Sequence, residues 1–196
     1  MNETHKKSKT STNPIDSLAN HLGTSVKRLN NEIKKNIQDN EVIVTEIASH
    51  LLMGKSKKIR PLLTLLIAKM LKYNGTAHYN LAVCIEFIHN ATLLHDDVID
   101  DAIVRRGKEA ANIIWGNKGA VLVGDFLYSR AFEIIVEINK SLVYETLAKT
   151  TNVIAQGEVM QLMNIGNIDL DENLYMDIIY RKTAILFEAS AKIGSI

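Results

Sequence analysis

His95-Asp96-Asp97-Val98-Ile99-Asp100-Asp101, closed by Arg105-Arg106-Gly107, settles more about this chain than any other stretch. It sets four carboxylates within six positions beside paired arginines. On a helix, like charges four residues apart repel, and the pairs 96/100 and 97/101 are both like. A divalent cation relieves that repulsion, and a metal-bound diphosphate gives the arginines a partner. The plainer reading is a solvated acidic helix end, followed by cations that a helix C-terminus favours anyway. At about 100° per residue, Asp96 and Asp100 lie about 40° apart, and His89 falls near the same line. One face thus carries an imidazole and, further along, two carboxylates, hard oxygen ligands of the kind magnesium shares with substrate phosphates. Asp97 and Asp101 point to the side, toward solvent or toward groups that support the ligands.

The helix bearing this run is expected over 77–104, with Gly107 just past its stop. Upstream, Ile15, Leu18, Leu22, Val26, Leu29, Ile33 and Ile37 form one apolar stripe, predicting an amphipathic helix over 15–37 packed on its own core or on a partner. Further helices are expected over 41–53, 62–71, 120–139, 142–164 and 171–192. Two prolines and no sustained alternation make this an all-α chain, with a disordered polar tail over 1–13 and a single helical domain over 14–196.

Hydrophobic residues at 46% and charged ones at 23% describe a folded globular protein, and a net charge of +1 gives no reason to expect nucleic acid. A lone cysteine, Cys84, cannot pair internally and points to a reducing, cytoplasmic setting. No run reaches the roughly 20 apolar residues of a transmembrane segment, and residues 1–13 lack the apolar centre of a signal peptide.

Three smaller clusters carry charge or polarity. Lys57 and Arg60 precede a helix beginning at Pro61, where free N–H groups and the helix dipole attract phosphate, although a charged loop is often only solvated. Gly157-Glu158-Val159-Met160-Gln161 puts polar groups at helical spacing, and Arg181-Lys182-Thr183 precedes an apolar stretch. Both also read as ordinary helix surface.

Taken in this order, the pieces resemble the trans-polyprenyl diphosphate synthases from about residue 53 to residue 196. The resemblance centres on Leu93-Leu94-His95-Asp96-Asp97-Val98-Ile99-Asp100 with its Arg105-Arg106-Gly107 ending. The family's basic loop, Gly-Gly-Lys-Arg-x-Arg-Pro, is similar to residues 55–61, with Lys55 and Ser56 standing in for the glycines. Gly124-Asp125-Phe126-Leu127 and the Gly157-Glu158 to Gln161-Leu162 segment also fit.

The resemblance implies an all-α, isoprenoid-synthase-type helical bundle, truncated before its C-terminal helices. It implies head-to-tail condensation of isopentenyl diphosphate with an allylic prenyl diphosphate. Lys57, Arg60 and His89, helped by Arg106, would bind isopentenyl diphosphate. Asp96 and Asp100 would hold Mg2+ on the allylic diphosphate, which Arg105, Lys182 and Thr183 also grip. Asp96, Asp100 and Lys182 thereby become the catalytic set. In this family, bulky residues just before the first aspartate floor the product tunnel. Ala91 and Thr92 are small, implying a long, octaprenyl-like product of the kind used as a quinone side chain; Thr92 lies about 40° from Asp96.

The family's second aspartate-rich motif has no counterpart, since no aspartate follows Asp177. A homo-oligomer or a partner chain supplying that motif is therefore expected. Two alternatives stand beside the synthase: a non-catalytic partner subunit or remnant, and a metal-dependent phosphohydrolase built on His95-Asp96. The latter requires further histidine and aspartate ligands spaced widely along the chain.

Overall fold

The computed structural model describes residues 13–38, 41–54 and 56–196. The tail expected over 1–13 lies outside the described residues except for Asn13, which belongs to the first helix. Its side-chain Oδ1 accepts the Ile15 N–H at 3.0 Å, and Pro14 follows in the first turn of α1 (Pro14–Leu22). The single helix expected over 15–37 is two: Gly23, at φ 46°, separates α1 from α2 (Thr24–Ile37). Glycine takes that left-handed conformation without a Cβ penalty. The break lets Leu29, Ile33 and Ile37 bury fully while Ile15, Leu18 and Val26 pack at the margin of the core.

Then come α3 (Val42–Leu52), α4 (Ile59–Met70), α5 (Ala77–Ile99), α6 (Ala111–Ile138), α7 (Ser141–Met163), α8 (Glu172–Ile179) and α9 (Ile185–Ile193). A π-helical turn, Tyr180–Ala184, joins the last two. The all-α helical bundle expected from the motifs is the architecture observed. At its centre is α5, packed against α2, α3, α4, α6 and α9, so that its middle, residues 81–88, is buried all round. Cys84 lies there, its Sγ donating to the Ala131 carbonyl at 3.4 Å, and burial pushes the thiol up, away from reactivity. Among the described residues, no helix is long and apolar enough to cross a membrane.

Three boundaries differ from expectation. α4 begins at Ile59 and not at Pro61, so Arg60 lies inside its first turn instead of before it. One of the other two also shapes the site. The sequence puts the end of α5 at 104, but the helix stops at Ile99, with Asp100 as its C-cap and Asp101 at φ 48°. Carboxylates crowd a helix end whose dipole is already negative, and aspartate tolerates the left-handed conformation that ends it. The chain then forms a hairpin, β1 (Val104–Arg105) against β2 (Lys108–Glu109), through a turn with Arg106 at φ 53° and Gly107 at φ 77°. Positive φ at both central residues marks a type I′ turn. The arginines therefore stand on a hairpin, not on a helix end. The third difference is α6, which begins at 111 rather than 120 because a short helical piece precedes the main helix across a non-helical kink at Gly116, φ 76°.

Candidate functional site

Two sites of opposite charge lie along α5, one near His89 and one near Asp96. The first is a cavity of about 280 Å³ lined by Lys57, Lys58, Arg60, Glu86, His89 and Arg106, with Ser56 and Ile59 completing it. Arg60 is held from two sides: its guanidinium lies 4.3 Å from the Phe187 ring centroid, and Nη1 meets His89 Nε2 at 3.1 Å. Arg106 reaches the same nitrogen from the hairpin at 3.5 Å. Burial, reinforced by the charges of Arg60, Arg106 and Arg105, pushes His89 down to about 3. The imidazole is thus neutral, and with guanidinium groups as donors Nε2 must be the accepting nitrogen. His89 therefore joins two like-charged arginines instead of adding a third cation. Burial also lowers Lys58 from its ordinary value, with Glu86 opposing and Arg106 reinforcing the shift.

The second site is acidic. Asp96 and Glu158 converge on Lys182, whose Nζ lies 2.6 Å from Glu158 Oε2 and 3.5 Å from Asp96 Oδ2. Burial raises Asp96, Lys182 pulls it down, and Asp100 adds repulsion; the net direction is up. Glu158 is raised for the same first reason. Burial works against the Lys182 ammonium, but the hydrogen bond it donates to Glu158 and the charges of Asp96, Glu158 and Asp100 outweigh it and hold Lys182 above the usual lysine value. Beside these groups Ile99, Val159, Leu162 and Ile165 line an apolar groove that Asp100 also borders. Among the described residues, no three His, Cys, Asp or Glu side chains converge as a metal cage. Asp96 and Asp100, one hard carboxylate in this cluster and one where it borders the groove, are the donor type of a cation that keeps water and phosphate in its shell, as magnesium does.

Lys182 reaches this position because its backbone is wider than an α-helix. Arg181, Lys182 and Thr183 lie on the π-helical turn, a feature that recurs at functional sites. Arg181 ties the turn to Asp177 and to Gln156, each at 2.9 Å. The turn presses on α7 at Gly157, where a Cβ would meet Arg181 Cβ at 2.7 Å and the Lys182 nitrogen at 2.9 Å. Gly157→Ala is therefore expected to destabilise the chain by about 1–3 kcal/mol, the range for overpacking, measured by urea denaturation. Gly124→Ala is the control. The three atoms nearest its Cβ all belong to the His95 ring, and a rotatable ring can move aside where backbone cannot. Equal costs for the two would remove the close approach as the explanation.

Of the residues expected at a site, Lys57, Arg60, His89 and Arg106 meet in the basic cavity, and Asp96 and Lys182 in the acidic cluster. Asp100 is exposed at the edge of that cluster, and Thr183 is exposed on the π turn. Arg105 is engaged elsewhere: Nε donates to Asp97 Oδ1 at 2.7 Å and Nη2 donates to the same oxygen. Asp97, 0% exposed, is thus internal and has no solvent role. Ala91 is fully buried in the core, and Thr92 is half-buried with its hydroxyl donating to the His89 carbonyl at 2.8 Å. His95 does not pair with Asp96 as a phosphohydrolase dyad would. Its ring faces α6, 3.2 Å from the Val121 carbonyl and 3.4 Å from Asp125. Sequence reasoning passed over Glu86 and Lys58, and it placed Glu158 in a segment that fits the family or reads as helix surface without giving it a role. A charged residue inside the apolar run 81–88, three positions before His89, was the signal for Glu86.

The sequence profile of the polyprenyl synthetase family matches residues 41–196. An octaprenyl diphosphate synthase from Escherichia coli (strain K12) is 44% identical over 168 residues, covering 86% of this chain and 52% of that protein. A polyprenyl synthase from Caulobacter crescentus CB15, solved with calcium and isoprenyl diphosphate, superposes with a TM-score of 0.89 at 42% identity, over 92% of this chain and 55% of that one. A decaprenyl diphosphate synthase from Rhodobacter capsulatus gives a TM-score of 0.89 at 41% identity, over 92% and 56%. The chain spans about half the length of the relatives it matches.

Proposed function

The chain belongs to the polyprenyl synthetase family, and from that premise we propose that it forms part of a prenyltransferase condensing isopentenyl diphosphate with an allylic prenyl diphosphate into a long-chain polyprenyl diphosphate. The observation that carries this is the pairing of a cationic cavity and a carboxylate–ammonium cluster on one helix. The seven residues from His89 to Asp96 advance α5 by about 10 Å, enough to seat two diphosphates side by side with their carbon chains adjacent.

In this proposal Lys57, Lys58, Arg60 and Arg106 hold the diphosphate of isopentenyl diphosphate, with His89 fixing the angle between the two guanidinium groups. Asp96 and Asp100 would hold Mg2+ on the allylic diphosphate. Magnesium, when bound, draws negative charge from the leaving group. Lys182, with Thr183 beside it, faces the same leaving group, and its ammonium stays charged throughout the working pH range. A fixed cation there stabilises charge that develops as the allylic C–O bond breaks. The apolar groove along Ile99, Val159, Leu162 and Ile165 shelters the allylic carbon chain and keeps water from the cation. Arg105 acts through Asp97, keeping the hairpin seated so that Arg106 enters the cavity.

Small side chains at Ala91 and Thr92 are consistent with a long product. Thr92 is the better gate, because Ala91 is enclosed by the core. A second aspartate cluster would come from further polypeptide, since a homo-oligomer of these 196 residues adds no aspartate beyond Asp177. The buried, unreactive Cys84 suits the reducing cytoplasm. The test is incorporation of labelled isopentenyl diphosphate into farnesyl diphosphate with magnesium, by the chain alone and mixed with a polypeptide carrying the second aspartate cluster. Long labelled product in either mixture is expected. No product in both overturns the condensation.

A further inference from the structure

One turn before His89 on α5, Glu86 is 1% exposed yet lines the cationic cavity. Its Oε1 has no hydrogen-bond partner among the described residues. A buried carboxylate oxygen without a partner is costly, and the condensation as described gives Glu86 nothing to do. What faces it is unusual for an acid. Lys58 and Arg60 approach from the start of α4 and Arg106 from the hairpin, while Asn90 and the neutral His89 lie beside it on α5.

Two influences on this carboxyl oppose each other. Burial favours the neutral acid, and it is the larger, so Glu86 is raised above the ordinary glutamate value. The charge of Lys58, a hydrogen bond from Asn90 and the charges of Arg106 and Arg60 favour the anion. An entering diphosphate changes only the second influence: it engages those same cations and adds negative charge in front of Glu86. The cations' support for the anion then weakens, while burial remains. A protonated carboxyl also gains an O–H donor that an ionised one lacks, on a side chain that already reaches the cavity.

We propose that Glu86 is a positioning residue of the diphosphate pocket: a carboxylate that holds Lys58, Arg60 and Arg106 together while the pocket is empty, and a protonated carboxyl while a diphosphate fills it. This rests on the cationic cavity being a diphosphate site. Diphosphate binding then takes up a proton, and the pocket becomes more cationic as its ligand arrives. Glutamine imitates the protonated form in shape and charge but cannot titrate.

The experiment is calorimetric titration of the chain with inorganic pyrophosphate, for wild type and Glu86→Gln, in two buffers of different ionisation heat near pH 7.5. Protons exchanged by pyrophosphate itself and by other pocket groups cancel in the difference between the proteins. Wild type is expected to take up about one more proton per pyrophosphate than the variant, so that its affinity falls more steeply with rising pH, by up to about tenfold per pH unit. Equal proton counts with binding intact overturn the role of Glu86 and leave the diphosphate site standing. A purely structural Glu86 would change affinity without changing the proton count, which also overturns it. No pyrophosphate bound by either protein overturns the diphosphate site, and this inference with it. If the variant does not fold, infrared difference spectra of wild type with and without pyrophosphate decide. A new carboxylic-acid carbonyl band is expected, and its absence overturns the proposal.

Discussion

Asp96→Asn is expected to lower condensation about a hundred- to a thousandfold, the cost of losing one electrostatic stabiliser of a transition state, while the fold stays as stable as before or gains slightly. The two halves of this expectation share one cause. Asp96 is raised by burial first and by the nearby Asp100, with Lys182 only partly offsetting them. A carboxyl whose folded value lies above its unfolded one disfavours the fold when ionised. That penalty is fully present above the folded value and is relieved as pH falls through it. Asparagine never carries the charge. The variant should therefore match or exceed wild type in urea denaturation at neutral pH, and the difference should close as pH falls through the raised Asp96 value. Full activity in the incorporation assay would remove Asp96 from the chemistry. A large loss of stability at neutral pH would instead make the Lys182–Asp96 contact a structural support.

Arg105→Ala is expected to be the most destabilising change at the site, by about 3–5 kcal/mol, the range for stranding a buried charge. Asp97 is 0% exposed and takes both donated bonds from Arg105 on Oδ1, while Oδ2 has no partner among the described residues. Removing the arginine leaves that carboxylate inside with nothing to meet it. The reverse change is milder, because the Arg105 side chain is 28% exposed and can turn to solvent when Asp97 is replaced. Arg105→Lys should recover only part of the loss, since an ammonium cannot reproduce two parallel guanidinium donors. Urea denaturation of Arg105→Ala, Arg105→Lys and Asp97→Ala checks the order. Equal costs for the two alanine variants would sink the claim that the buried partner sets the scale. A total stability of about 5–15 kcal/mol is usual for a domain, so the loss would be visible in yield as well.

The helical bundle was legible because its signals are periodic. Leu29, Ile33 and Ile37 recur at helical spacing and are the buried residues of α2. The shared face of His89 and Asp96 was legible for the same reason. What escaped was non-periodic. A hairpin of two-residue strands turning at Arg106-Gly107 has no alternation to detect and lacks the Asn-Gly or Asp-Gly pair that usually announces a type I′ turn. Arg105 and Arg106 were thus read as one helical-end pair, although the turn sends one inward to Asp97 and the other to His89. Glu158 escaped because its partner, Lys182, lies 24 residues away, on a π turn that sequence spacing cannot foretell. Gly23 carried a local signal, but a strong stripe running across it outweighed a single glycine.

Because both sites share α5, their separation is fixed by the covalent repeat of a helix and not by the tightness of any loop. That makes the interval between His89 and Asp96 a phase as well as a length. Seven residues are almost two full turns, so the sites face one way; a single inserted or deleted residue would swing one of them about 100° from the other. Between these positions side chains can be exchanged only as far as the packing around Asn90, Ala91 and Leu94 allows, and the chain cannot change its count at all. Length variation has to collect in the connections outside α5, where a residue more or less leaves the bearing of the two sites untouched.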